Sequence, residues 1–194
     1  RGSLYGRALF VFNLVPSSPH NLNIPWFCRI ILQFFTQMTD MHSNNTAGAA
    51  GILHDITKHL SPQEQLNLCE KYGIIPCTVE KSEPKMLHGK TAAAIARREY
   101  HMPDEVCDAI ACHTTGRAKM TILDKILYLA DYIEETREKA RELAETSIDR
   151  ALLYCYDQTL IELITRGKLI HSDTIAAYND MIRQGVRWRD EERA

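Results

Sequence analysis

Four features of the sequence put metal- or phosphate-binding groups where a plain helical core has no use for them. They are His54-Asp55 with Lys58 a turn later, His88 before Gly89, His113 before Thr114-Thr115-Gly116-Arg117, and Asp131 inside the apolar run Ile126 to Ile133. Asp131 is the most costly placement. A carboxylate in an apolar helical stretch has to be paired, metal-bound or protonated. No Lys or Arg stands three or four residues from it, so its partner has to come from elsewhere in the fold. The competing reading exposes Asp131 on a polar helix edge with Asp124 and Lys125.

His54-Asp55 follows the apolar stretch Ala49 to Leu53. Neighbouring residues on a helix point about 100° apart, so both reach one ion only when it sits between their directions, near the helix end. Imidazole with carboxylate suits a borderline ion such as Fe, Mn, Co or Zn. Lys58 lies four residues after His54, on the same helical face, where its ammonium would meet phosphate. His88 and His113 each precede a sharp turn containing Gly; either alone reads first as an ordinary solvated or core histidine. Thr114, Thr115, Gly116 and Arg117 supply two hydroxyls, accessible backbone amides and a guanidinium, a group suited to phosphate. A plain helix–helix turn is the alternative there. His20, His42, His59, His101 and His171 show no comparable context and receive no role.

The elements that position these groups read as successive amphipathic helices, an all-α chain. Helices are expected at 46–58, from Ser61-Pro62-Gln63-Glu64 to Tyr72, at 89–99, from Met102-Pro103-Asp104-Glu105 to His113, at 121–135, 137–145 and 147–166, and from Ser172 onward. Ser61 with Glu64 is a capping box with Pro62 in the first turn, and Gly73 and Gly167 are stops. The stretch through Pro76 and Pro84 reads as a loop. Residues 1–45 form a divergent N-terminal segment, either the start of the bundle or poorly packed, punctuated by Pro16, Pro19 and Pro25. Its apolar run from Ala8 to Val15 lacks a small-residue cleavage site and is not read as targeting.

The bulk properties narrow the classes further. At 194 residues the chain is long enough for one domain with a core of its own. A net charge of −2 offers no broad cationic field for nucleic acid or a membrane surface. No apolar run approaches the roughly 20 residues that span a bilayer. The six cysteines show no CxxC spacing and read as thiols of a reducing compartment, which implies a cytoplasmic protein.

The motifs 50–58, 87–89, 113–117, 126–134 and 167–175 follow one another in an order and spacing that resemble the YqeK family of HD-domain proteins, symmetrical diadenosine tetraphosphate hydrolases. The resemblance spans about 47–180. His113-Thr114-Thr115-Gly116-Arg117 and Leu129-Ala130-Asp131-Tyr132-Ile133-Glu134 are its specific pieces, and His-Asp alone is not. It implies an all-helical HD-domain bundle over 46–194 that cleaves a nucleotide phosphoanhydride, diadenosine tetraphosphate giving two ADP. It implies His54, Asp55 and Asp131 as metal ligands, with His88 and His113 completing a second site or touching phosphate. Asp55, Lys58, His88 and His113 would take part in catalysis, and Lys58, Thr114, Thr115, Gly116 and Arg117 would line the phosphates. The cofactor implied is one or two divalent transition-metal ions, iron first, with Mn, Co or Zn as alternatives. The partner is a nucleotide, and a homodimer is compatible with the family. The family's further ligand His falls by spacing on Pro25, with His20 five residues away. An HD-superfamily nucleotidase acting on mono- or diphosphates, and a catalytically impaired nucleotide-binding protein, are the competing functions.

Overall fold

The structure, a computed structural model, describes residues 41–133 and 138–189, with side chains from Thr46 onward. The expectations for the N-terminal segment, His20 and Pro25 among them, lie outside the described residues, as does Glu134. The described chain is helical, with no strand among the described residues: α1 Met41–Leu53, α2 Pro62–Tyr72, α3 Thr78–Ser82, a 3-10 turn Pro84–Leu87, α4 His88–Arg98, α5 Asp104–Cys112, α6 Ile122–Tyr132, α7 Glu138–Thr146, α8 Ile148–Thr165 and α9 Ser172–Arg183. No described helix is long and apolar enough to cross a membrane.

Local chemistry sets most of the boundaries. Ser61 caps α2, its side chain accepting from the Glu64 amide while Glu64 reaches back to the cap, and Gly73 closes the helix at φ 69°. Thr121 and Asp124 make the same reciprocal box at the start of α6. Two elements differ from expectation. The proline-flanked loop contains α3 and the 3-10 turn. The first helix stops at Leu53 instead of running to 58, and the chain continues in tight turns with Lys58 N–H donating to Asp55 O at 3.0 Å and Leu60 N–H to Thr57 O at 3.1 Å. Ile56 and Thr57 are β-branched, and the Thr57 hydroxyl leaves the turn to donate to His88 O at 3.0 Å.

Helix α5 is central. Val106, Cys107, Ala109 and Ile110 are all fully buried, and the helix packs against α4, α1 and α6. Ala47 and Ala50 on α1, and Ala92, Ala93 and Ala96 on α4, give these neighbours small faces that allow close approach. From α6, Ile126, Leu127 and Leu129 enter the core, each burial contributing about 1.5–3 kcal/mol. Gly89 lets α4 come close to α5: a Cβ there would lie 3.2 Å from the carbonyl oxygens of Ile110 and Ala111 and 3.4 Å from His113 Nδ1. This packing brings the end of α1, the start of α4, the end of α5 and the last turn of α6 to one place. Cys69, Cys77, Cys107, Cys112 and Cys155 are free thiols.

Candidate metal centre

Each of the three histidines is aimed by its own turn. Nδ1 of His54 lies 2.8 Å from Gly51 O, Nδ1 of His88 2.7 Å from Lys85 O, and Nδ1 of His113 2.7 Å from Ile110 O. Each of these carbonyls accepts the Nδ1 proton of the histidine three positions on, and Lys85 O and Ile110 O also take the backbone N–H of that same histidine. The network thereby assigns the proton to Nδ1 and leaves the Nε2 lone pair facing inward. A histidine that ligates a metal is held in this way.

The inward atoms converge. His54 Nε2 is 3.3 Å from Asp55 Oδ2 and 3.7 Å from Asp131 Oδ1. On the other side of the same carboxylate, Asp55 Oδ1 is 3.3 Å from His88 Nε2 and 3.7 Å from His113 Nε2. The Nε2 atoms of His88 and His113 stand 3.0 Å apart. With both protons on Nδ1, that is lone pair against lone pair, and Asp55 Oδ1 is buried with no hydrogen-bond partner. A cation resolves both. Two donors each about 2.1 Å from an ion lie roughly 3.0–3.4 Å apart across a right or tetrahedral angle; three of the five distances here fall in that range and the other two, at 3.7 Å, lie just beyond it. His54, Asp55, His113 and Asp131 offer ligand atoms all within 4.8 Å of one another. The donor set therefore fits a divalent ion.

The electrostatics agree. Burial opposes charge on His54, yet the carboxylates of Asp131 and Asp55 outweigh it and push its pKa up to about 9. Burial likewise opposes ionisation of Asp55 and Asp131. The three histidines and Lys58 hold Asp55 well below the usual carboxylate range, and His54 with His113 and Lys58 lower Asp131 as well. A field that draws a proton to His54 draws a metal cation to the same point. The partner required for Asp131 indeed comes from another element, and Asp124 is fully buried, so the exposed-edge alternative does not hold. Lys58 reaches the site by a different route from the expected one. The helix has ended, so it shares no face with His54; it turns back to Asp55 Oδ2 at 2.7 Å and Asp131 Oδ1 at 3.5 Å.

A buried polar ring supports the His-Asp turn. Gln65 Nε2 donates to Thr57 O at 2.6 Å, the Thr91 hydroxyl donates to Gln65 Oε1 at 2.7 Å, and the Thr57 and Thr91 hydroxyls are 2.9 Å apart. Nothing in the residue spacing marked these three. The turn after His113 is more internal than expected. The buried Thr115 hydroxyl donates to Gly116 O at 3.0 Å, and Gly116, at φ 69°, packs against Tyr156. Arg117 pairs with the fully buried Asp124 at 2.9 Å and with Asp108 at 3.3 Å. Thr114 keeps a hydroxyl with no hydrogen-bond partner among the described residues. His171, given no role above, is buried and caps α9, its Nδ1 accepting from Asp173 N–H at 3.1 Å. Its Nε2 proton then faces Cys77 Sγ at 3.3 Å, and Lys90 neutralises the adjacent Glu80 at 2.8 Å. That second cluster is closed by its own bonds.

The model of the HD domain matches residues 32–136. The chain belongs to the HD-domain family. Within the family it is 33% identical over 142 residues to the symmetrical bis(5'-nucleosyl)-tetraphosphatase of Bacillus subtilis, covering 70% of this chain and 76% of that protein. It is 36% identical over 143 residues to the protein of the same name from Halalkalibacterium halodurans, covering 70% and 75%. A crystal structure from Clostridium acetobutylicum, described as a predicted HD superfamily hydrolase involved in NAD metabolism, superposes with a TM-score of 0.76 at 26% identity, covering 94% of this chain and 98% of that one. The membership expected from the motifs holds, and with it the all-α HD fold, the hydrolase class and a capacity for divalent metal.

Proposed function

We propose that this HD-domain protein hydrolyses diadenosine tetraphosphate symmetrically to two molecules of ADP. The observation that carries the reading is Asp55: one carboxylate set among three inward-facing Nε2 atoms, with one buried oxygen lacking any hydrogen-bond partner. We assign His54, Asp55 and Asp131 to one metal position, and His88 and His113 with the other oxygen of Asp55 to a second. A nitrogen and carboxylate donor set without thiolate suits iron, with Mn, Co and Zn as the other candidates. The bound metal supplies Lewis acidity toward a phosphoryl oxygen and makes water a stronger acid.

The side chains do the rest. Lys58, half-exposed beside the carboxylates, swings to the phosphate chain and offsets its charge. Thr114 offers a free hydroxyl at the same rim. Thr115, Gly116 and Arg117 hold that rim in shape, and Arg117 approaches a phosphate as Asp108 releases it. Asp55 and Asp131 orient the attacking water, and His88 and His113, whose inward Nε2 carries a lone pair and no proton, would hold the second ion. Water oxygen bonds to an inner phosphorus, the central phosphorus–oxygen bridge breaks, and the bridging oxygen leaves on the second ADP. We place the domain over 46–194, in the cytoplasm.

The experiment is elemental analysis of the purified protein joined to turnover of diadenosine tetraphosphate, with products separated by chromatography. ADP as sole product supports the reading. ATP with AMP would refute symmetrical cleavage, and turnover of mononucleotides alone would favour an HD nucleotidase.

A further inference from the structure

The two ion positions assigned above are built from different pieces of backbone. His54 Nε2 stands 3.3 Å from Asp55 Oδ2 and 3.7 Å from Asp131 Oδ1, while His88 and His113 face Asp55 Oδ1 at 3.3 and 3.7 Å. His88 and His113 move as a unit, because Gly89 lets the start of α4 lie against the carbonyls at the end of α5. Asp55 does not move with them. It lies beyond the last residue of α1, in the turn that follows Leu53, so helix packing alone does not hold it. The spacing between the histidine pair and Asp55 Oδ1 is set by whatever ties that turn to α4.

The tie is a hydroxyl. Thr57 comes two residues after Asp55, and Thr57, Gln65 and Thr91 are all fully buried. Gln65 settles the direction of the bonds among them. Its Nε2 donates to Thr57 O at 2.6 Å, an atom that only accepts, and its Oε1 therefore takes the Thr91 hydroxyl proton at 2.7 Å. With the Thr91 proton committed there, the Thr57 proton goes to α4, where His88 O lies at 3.0 Å and Thr91 Oγ1 at 2.9 Å. One of these acceptors belongs to an ion-binding residue itself. In so enclosed a place the low local dielectric strengthens the bond, and a displacement of about 0.5 Å is enough to spoil a ligand geometry.

We propose that Thr57 is a positioning residue for the second ion: its hydroxyl holds His88, and His113 with it, at ligating distance from Asp55 Oδ1, and has no comparable part in the first position. The first set is held without that hydroxyl. His54 is anchored by Gly51 O at 2.8 Å, Lys58 N–H closes the turn on Asp55 O at 3.0 Å, and Gln65 grips the Thr57 carbonyl and not its side chain. The inference rests on the two-position assignment made with the hydrolase reading.

Thr57→Val keeps the shape of the side chain and removes the hydroxyl. It orphans no buried donor, since Thr91 still donates to Gln65, so the fold should survive, and circular dichroism verifies it. Isothermal titration of the metal-free protein with Co²⁺ should show two ions on wild type. On Thr57→Val the first should bind within about twofold of wild type and the second about tenfold more weakly, the low end for losing a group that orients a ligand. Thr57→Ser, which restores the hydroxyl, should restore the second ion. Turnover by Thr57→Val should recover as Co²⁺ is raised, which a merely structural defect would not do. Thr57→Ala repeats the titration with a smaller side chain, so the answer does not hang on one variant. Variants without the hydroxyl that take up both ions as wild type does, or that weaken both alike, would overturn the positioning role and leave the hydrolase reading standing. A wild type that turns over diadenosine tetraphosphate with one ion alone would remove the second position and this role with it, again leaving the hydrolase reading. A wild type that binds two ions and cleaves no diadenosine tetraphosphate would remove that reading, and the same titrations would still decide the role of Thr57.

Discussion

Replacing Asp131 by Asn keeps the shape of the side chain and removes one charge from the centre. Its Oδ1 stands 3.7 Å from His54 Nε2. Against the opposing effect of burial, Asp131 and then Asp55 lift His54 from 6.5 to about 9, a preference of about 3 kcal/mol for a positive charge at that nitrogen. Asp131 is the larger of the two carboxylate contributions, so its loss costs a divalent ion, with twice the charge, on the order of 3 kcal/mol. At about 1.4 kcal/mol per tenfold, metal affinity should fall on the order of 100-fold. Titration of the metal-free protein with Co²⁺, followed by visible absorption, measures this, with circular dichroism to show an intact fold. A folded Asp131→Asn that binds Co²⁺ within threefold of wild type would show that the carboxylate does not serve the ion, and the assignment of the centre would fail.

Other perturbations read different parts of the structure. Lys58→Met removes the ammonium that competes for Asp55 and Asp131; isothermal titration should show tighter metal binding, while kcat for diadenosine tetraphosphate falls about tenfold or more. Gly116→Ala places a Cβ against the Tyr156 hydroxyl at φ 69°; the left-handed backbone alone costs about 1–2 kcal/mol, so calorimetry should show Tm lowered by at least about 2 °C. Burial opposes ionisation of Glu80, but Lys90 and the Cys77 amide hold its pKa below the ordinary 4.5. Its contribution to stability is therefore full above 4.5 and is lost as pH falls through the lower folded-state value. Thermal melts across about pH 5 to 3 should show wild type losing Tm more steeply than Glu80→Gln, which starts lower at neutral pH.

Legibility in the sequence followed the range of the interaction. The Ser61–Glu64 box and the stops at Gly73 and Gly167 are local, and each falls where expected. Asp131 was legible through a contradiction: an apolar run had no local cation for it, and His54 with Lys58 resolves that from another element. The end of α1 at Leu53 was not legible, because it depends on the Thr57 hydroxyl bonding to His88 O, 31 residues away. The short α3 was hidden by its length and by Pro76 and Pro84, which punctuate like a loop. Asp124 with Arg117, and His171 with Cys77, are meetings of distant or adjacent elements that no spacing rule encodes.

The Nδ1 anchors have one more implication. Because each imidazole is pinned by a carbonyl of its own turn, and the His-Asp turn is tied to α4 by the Thr57–Thr91–Gln65 ring, the coordination geometry is established by folding itself. Loading is then a docking event on a rigid receptor. Unlike a zinc finger, whose polypeptide organises only around its ion, this bundle should surrender metal to a chelator and take it back without melting, with a heat-capacity change on loading close to zero.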